Sequence, residues 1–249
     1  VDTNKGDSSE PNYRARLVGR ELKQDARLDL FAGTPPLEAL KLILARCATN
    51  QLGHRPHRVM SIDVKRAYFY AKTTRPVFIE IPQEDWEEGD EGKVGKLNLS
   101  LYGTRDAAQN WQKEYTQLMP GLGFKVGRAS PCNFHHPRMR ISCTVHGDDF
   151  TSCGPEYAVA WFQRQIENKY DSKHSILGPR KGHESSIRIL NRVLAWTEHG
   201  ITYEADQRHP EIIAQRLGHE CASKVGTSEV KHPVCKTSLI ATVLWMSLS

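Results

Sequence analysis

No run of 18 apolar residues occurs in the 249-residue chain, so no segment of it reads as a membrane-spanning helix. The N-terminus (Val1-Asp2-Thr3-Asn4-Lys5-Gly6-Asp7) has neither the basic nor the apolar region of a secretory signal, and the chain reads as intracellular. Cysteine is sparse. The six (Cys47, Cys132, Cys143, Cys153, Cys221, Cys235) never form Cys-x-x-Cys, which excludes a zinc-site or disulfide framework and leaves reduced core residues. Neither charge sign dominates: 34 Lys plus Arg against 29 Asp plus Glu give +5, a surplus that permits a polyanionic partner without demanding one. With 39% hydrophobic and 25% charged residues, disorder is excluded, and the length predicts one large domain or two lobes.

Residues 1–12 are polar and predict a flexible lead-in; between 13 and 27, Arg14, Arg16, Arg20, Lys23 and Arg27 face only Glu21 and Asp25. Thr34-Pro35 predicts a helix start, with Leu37, Leu40, Ile43, Leu44 and Cys47 at helical spacing. Val59 to Asp63, the alternating Val77, Ile79 and Ile81, and the alternating Leu97, Leu99 and Leu101 predict strands. The acids from Glu84 to Glu91 read as a solvated loop. Ala108, Trp111, Tyr115 and Leu118 mark a helix ending before Pro120, with Trp111 a core residue. Ile141, Cys143 and Val145 alternate into a hairpin with Asp148 and Asp149 at its turn, and Pro155 opens a further helix. A strand from Ile187 to Leu190, a hairpin carrying Trp196 and Tyr203, and a helix from Pro210 follow. Strands and helices interleave with antiparallel hairpins, so the class is mixed α/β.

Asp63, Asp148 and Asp149 stand out because each sits at a strand end beside a turn rather than on a charged helix face. Adjacent carboxylates repel and raise each other's pKa, and a divalent cation taking hard oxygen ligands relieves them. Gly147-Asp148-Asp149 taken alone fits a polar β-turn equally well. His146 has no His or Cys partner at ligand spacing and reads as structural.

Asp63-Val64-Lys65-Arg66-Ala67-Tyr68-Phe69, followed by Val77-Phe78-Ile79-Glu80-Ile81-Pro82, is similar to the palm motif of reverse transcriptases, in particular those of copia-type LTR retrotransposons. Three more blocks fall in that family's order. Tyr13-Arg14-Ala15-Arg16-Leu17-Val18 resembles its basic fingers motif, Ser100-Leu101-Tyr102-Gly103 to Trp111 its Ser-Leu-Tyr-Gly block, and Val145-His146-Gly147-Asp148-Asp149 occupies the place of Tyr-Val-Asp-Asp. His146-Gly147 departs from the usual Tyr-Val and brings the tetrad near the Gly-Asp-Asp of RNA-templated RNA polymerases. Those enzymes generally place an acid five residues after the first palm acid, where Tyr68 stands here; a ring there fills the volume of a ribose 2′-hydroxyl and argues for deoxynucleotides.

The resemblance implies an α+β, reverse-transcriptase-like right hand: fingers, a palm with antiparallel sheet and helices, and a partial thumb. Residues 1–12 would be the lead-in, 13–155 the fingers and palm, and 156–249 the palm end, thumb and start of the connection. It implies RNA-directed DNA polymerisation within a Pol polyprotein, with an RNA-templated RNA polymerase or an inactive nucleic-acid-binding relic as alternatives. Asp63, Asp148 and Asp149 would hold two Mg2+ ions, Mn2+ being a substitute. Arg14 and Arg16 would clamp the incoming triphosphate, Tyr68, Tyr102 and Gly103 would line the nucleotide, and Lys173, Arg180 and Lys181 would track the template–primer. The implied partners are an RNA or DNA template with its primer, deoxynucleoside triphosphates, and flanking integrase and ribonuclease H regions; no membrane is involved. The cytoplasm, element-encoded particles and the nucleus are the compartments to expect, and the chain reads as an excised fragment.

Overall fold

The structure, a computed structural model, describes residues 17–22, 30–50, 56–205, 212 and 216 and the backbone of 2–4 and 13–15. In chain order the elements are β1 (Asp2–Asn4), β2 (Tyr13–Ala15), α1 (Leu37–Thr49), β3 (His57–Val64), β4 (Phe78–Glu80), β5 (Val94–Lys96), α2 (Ala107–Gly121), β6 (Lys125–Val126), β7 (Asn133–His136), β8 (Ile141–His146), β9 (Asp149–Pro155), α3 (Glu156–Glu167), β10 (Ser172–Leu177), β11 (Ser186–Ile189), β12 (Arg192–Thr197) and β13 (Gly200–Ala205). Single 3-10 turns lie at Ala67–Tyr70 and Gln83–Asp85.

A six-stranded sheet in the order β10-β3-β9-β8-β7-β6, antiparallel throughout, organises the molecule. Strand β3, beside the edge strand β10, is buried on both faces over most of its length, because residues of alternate parity serve two cores. Met60, Ile62 and Val64 join Phe150, Trp111, Tyr115, Phe162 and Tyr170 in the cluster that seats α2 and α3. Val59 and Cys153 turn the other way and join Leu40, Ile43, Leu44 and Cys47 of α1 with Ile187, Ile189 and Leu194 of the β11-β12-β13 sheet. Each fully buried large side chain in these layers contributes roughly 1.5–3 kcal/mol.

Three boundaries differ from the sequence expectation. Helix α1 begins at Leu37 behind Pro36, not at Thr34-Pro35, because a proline disfavours helical dihedrals in its predecessor; the Pro36 carbonyl then accepts the Ala39 N–H at 3.0 Å. Residues 97–101 form no regular strand: the Leu97, Thr73 and Ser100 amides are taken by Val77, Asn98 and Ala71 across a loop, Leu99 makes one isolated bridge to Lys72, and the strand facing β4 is β5. Helix α2 runs through Pro120 to Gly121 instead of stopping before it, since its last turn is closed by the Leu122, Gly123 and Phe124 amides, donating to Leu118 and Met119, to Pro120 and to Met119 respectively.

Cys47, Cys132, Cys143 and Cys153 are buried thiols, as expected, whereas Cys221 and Cys235 lie outside the described residues. So does most of the helix expected from Pro210, of which Ile212 and Arg216 are helical. Among the described residues, no helix is long and apolar enough to cross a membrane.

Candidate active site

Register brings the carboxylates together. Asp63, the penultimate residue of β3, is directly opposite Asp149, the first of β9, so both point to the same face of the sheet. The row continues to Lys173 on β10 and His146 on β8, the partners of Asp63 and Asp149. Asp148 lies in the two-residue turn joining β8 to β9, preceded by Gly147, whose φ of +62° is the left-handed conformation that such a turn needs from glycine.

Both turn carbonyls are tied down. The Val64 amide donates to Asp148 O at 3.1 Å and the Trp111 indole N–H to Gly147 O at 2.8 Å. Trp111 is therefore the core residue the sequence indicates, at 1% exposure, and also a clamp on the hairpin tip. Burial, then the negative charges of Asp148 and Asp63, push the Asp149 carboxyl up to about 6. A cation bound by hard oxygen donors would relieve the repulsion that raises Asp149, so the donor chemistry suits a divalent ion. Among the described residues no three His, Cys, Asp or Glu side chains are gathered closely enough to form a metal-ligand cluster.

Tyr68 stands beside this tip in the 3-10 turn after β3. Burial and then Asp148 raise the pKa of its hydroxyl. Its ring lies 4.5 Å from that of Tyr102, tilted by 35°, and Phe69 meets Tyr102 edge-on at 5.7 Å. Gly103 has φ +90°, and a Cβ there would collide with the carbonyl of Gly19, whose amide donates to Tyr102 O at 2.6 Å. Gly103 thus permits a close backbone approach to the segment 17–22. A cavity of about 560 Å³ opens beside this loop, lined by Val18, Arg20, Arg75, Phe78, Leu101 and Thr104 among others.

The candidate phosphate binders separate. Arg14 sits on β2, paired with Thr3 of β1, and Arg16 lies outside the described residues. Lys173 is in the carboxylate row, but Leu177, four residues on, pairs with Val59, so Arg180 and Lys181 follow the opposite end of β10, roughly 13 Å or more from the tip. Arg180 is held by Glu156 at 2.8 Å, and Arg192 lies 5.9 Å over the Tyr203 ring. Lys173, Arg180 and Lys181, expected together along a template–primer, are thus dispersed, and Arg180 is partly neutralised. Sequence reasoning missed Lys65, which bonds Asp171 at 2.7 Å behind the tip; its signal was its place two residues after Asp63.

The family model described as "Reverse transcriptase (RNA-dependent DNA polymerase)" matches residues 1–179. The chain belongs to this reverse transcriptase family. A relative, the "Retrovirus-related Pol polyprotein from transposon TNT 1-94" of Nicotiana tabacum, is 27% identical over 239 residues, covering 91% of the chain and 17% of the polyprotein. These matches bear out the resemblance to retrotransposon reverse transcriptases of copia type, and the chain spans under a fifth of that relative's length. Among solved structures, apo telomerase from Candida tropicalis truncated from its C-terminal domain aligns with a TM-score of 0.37 and 8% identity, over 68% of this chain and 39% of that one.

Proposed function

We propose that this reverse transcriptase domain is the RNA-directed DNA polymerase of a retrotransposon Pol polyprotein, adding deoxynucleotides to a primer 3′-hydroxyl under a template. One observation supports the reading: Asp63 pairs with Asp149 across β3 and β9, Asp148 stands in the adjoining clamped turn, and Asp149 is pushed up to about 6 by burial and by these two neighbours. On this reading the six-stranded sheet with α2 and α3 is the palm, residues 13–155 hold fingers and palm, and residues 156–249 complete the palm and begin the thumb and connection.

Asp63, Asp148 and Asp149 would hold two Mg2+ ions, which when bound lower the pKa of the primer hydroxyl and neutralise the departing pyrophosphate. The remaining tasks fall to the chain itself, because phosphoryl transfer needs positioned charge more than a protein nucleophile. Gly147 and Trp111 fix the tip, so that the acids stay in place as charge develops. Tyr68, backed by Tyr102, closes the space beside the sugar and disfavours a 2′-hydroxyl. Arg14 and Arg16 fork onto the triphosphate. Lys173 meets a template–primer phosphate near the tip, with Arg180 and Lys181 further along the backbone.

Primer extension tests the reading. Magnesium-dependent addition of deoxynucleotides that vanishes in Asp148→Asn is expected; extension indifferent to that change would sink it. Gly147-Asp148-Asp149 supports a second reading, an RNA-templated RNA polymerase, which a preference for ribonucleotides insensitive to Tyr68 would favour.

A further inference from the structure

Arg75 carries no role in the reading above, yet it ties together three segments around the loop that bears Tyr102. Its Nη2 donates to both carboxylate oxygens of Glu21, at 2.8 and 2.6 Å, and to Asp106 Oδ1 at 3.0 Å. Asp106 is 1% exposed, and a buried carboxylate requires such a counter-charge. Each acid is tied further into the loop and helix. The Arg105 amide donates to Glu21 Oε2 at 2.8 Å, and Asn110 Nδ2 donates to Asp106 Oδ2 and to Ser100 Oγ, both at 3.1 Å. Thr74, next to Arg75, closes the circuit by donating to Asn110 Oδ1 at 3.0 Å.

The knot therefore grips Ser100 on one side of Tyr102-Gly103 and Arg105-Asp106 on the other. Segment 17–22 is pinned twice against that loop: by the Gly19 amide on Tyr102 O, with Gly103 in backbone contact, and by Glu21 on Arg75. Tyr102 is in turn the surface on which Tyr68 rests.

We propose that Arg75 is a positioning residue for sugar discrimination: through Glu21 and Asp106 it holds the Tyr102 loop against Tyr68, and so sets how firmly Tyr68 closes the space where a 2′-hydroxyl would go. The inference rests on the polymerase reading and on the steric role given there to Tyr68. A lysine at 75 keeps the charge, but its stem ends one bond short of the Nη2 that makes all three contacts, so it cannot satisfy both carboxylates as well.

The test uses Arg75→Lys and, to guard against a folding defect, Glu21→Gln, which loosens the same knot without stranding a charge on Asp106. In either variant, amide exchange at Gly19 is expected to speed by about tenfold or more while exchange in β3 and β9 stays as in the parent. In primer extension the ratio of deoxynucleotide to ribonucleotide incorporation falls several-fold, through a lowered KM for the ribonucleotide with kcat for the deoxynucleotide little changed. Combined with Tyr68→Ala, Arg75→Lys then lowers the ratio no further, whereas a merely structural residue would act additively. Unchanged Gly19 exchange, or unchanged discrimination in an actively extending variant, overturns the assignment to Arg75. Parent chain that extends no primer refutes the polymerase reading and this inference with it, even where the exchange result shows the knot itself.

Discussion

Tyr68 is the residue where steric exclusion is most exposed to test. Tyr68→Ala should lower discrimination against ribonucleotides about tenfold or more, as measured by competing nucleotides in primer extension, because the carboxylates are left intact. His57 offers a check independent of catalysis. It is 2% exposed, its Nδ1 lies 3.7 Å from Cys153 Sγ, and burial, then Arg46 and Arg140, lower its pKa to about 4. The folded chain thus keeps this ring neutral where the unfolded chain protonates it below 6.5. Stability from this group is intact above pH 6.5 and falls as pH drops from 6.5 to 4, by on the order of 2–3 kcal/mol. Denaturant midpoints across that range should lose this dependence in His57→Gln. At this scale the sequence displays its acids openly, since a Gly-Asp-Asp turn and an acid at a strand end are visible without coordinates. The knot of Glu21, Arg75 and Asp106 is not, because partners separated by 54 and 31 positions leave no periodic trace.

Helices α1, α2 and α3 are legible because each repeats its buried side chains at helical spacing: Leu40, Ile43, Leu44 and Cys47 in the first, Trp111 and Tyr115 in the second, Ala158, Val159, Phe162 and Ile166 in the third. The hairpin of β8 and β9 is legible for its alternation and its turn chemistry. Strands β6, β7 and β10 escape notice: β6 is two exposed residues at one sheet edge, and β10, at the other edge, buries only Leu177 fully. Edge strands are defined by whom they pair with, which a local pattern cannot express. Trp111 links element to site, so Trp111→Phe should keep the ring in the core yet lose the bond to Gly147. A loss of about 1 kcal/mol in chemical denaturation is expected, together with faster exchange at the β8–β9 tip. An unchanged tip would show that the indole N–H does not restrain it.

Across the whole molecule the central sheet separates two cores, one seating α2 and α3, the other α1 and the β11-β12-β13 sheet, and its basic residues fall at opposite ends of β10. That division makes nucleic-acid binding a test of placement rather than of net charge. Lys173→Ala should reduce the slope of log affinity against log salt by about one unit for a duplex template–primer, whereas Arg180→Ala, whose charge Glu156 already answers, should change it less. Titrations at several salt concentrations would show it, and equal slopes for the two variants would place the binding track elsewhere.

The two-residue connection between His146 and Asp149 also determines which mutations the gene can absorb. Side chains alternate strictly between faces, so one codon gained or lost there would either turn the second aspartate toward α2 and α3 or force a bulge that breaks its pairing with Asp63. A point substitution in that stretch can be graded in its effect; a length change cannot, and such lesions in a decaying gene copy would mark the moment at which its catalytic prospects ended.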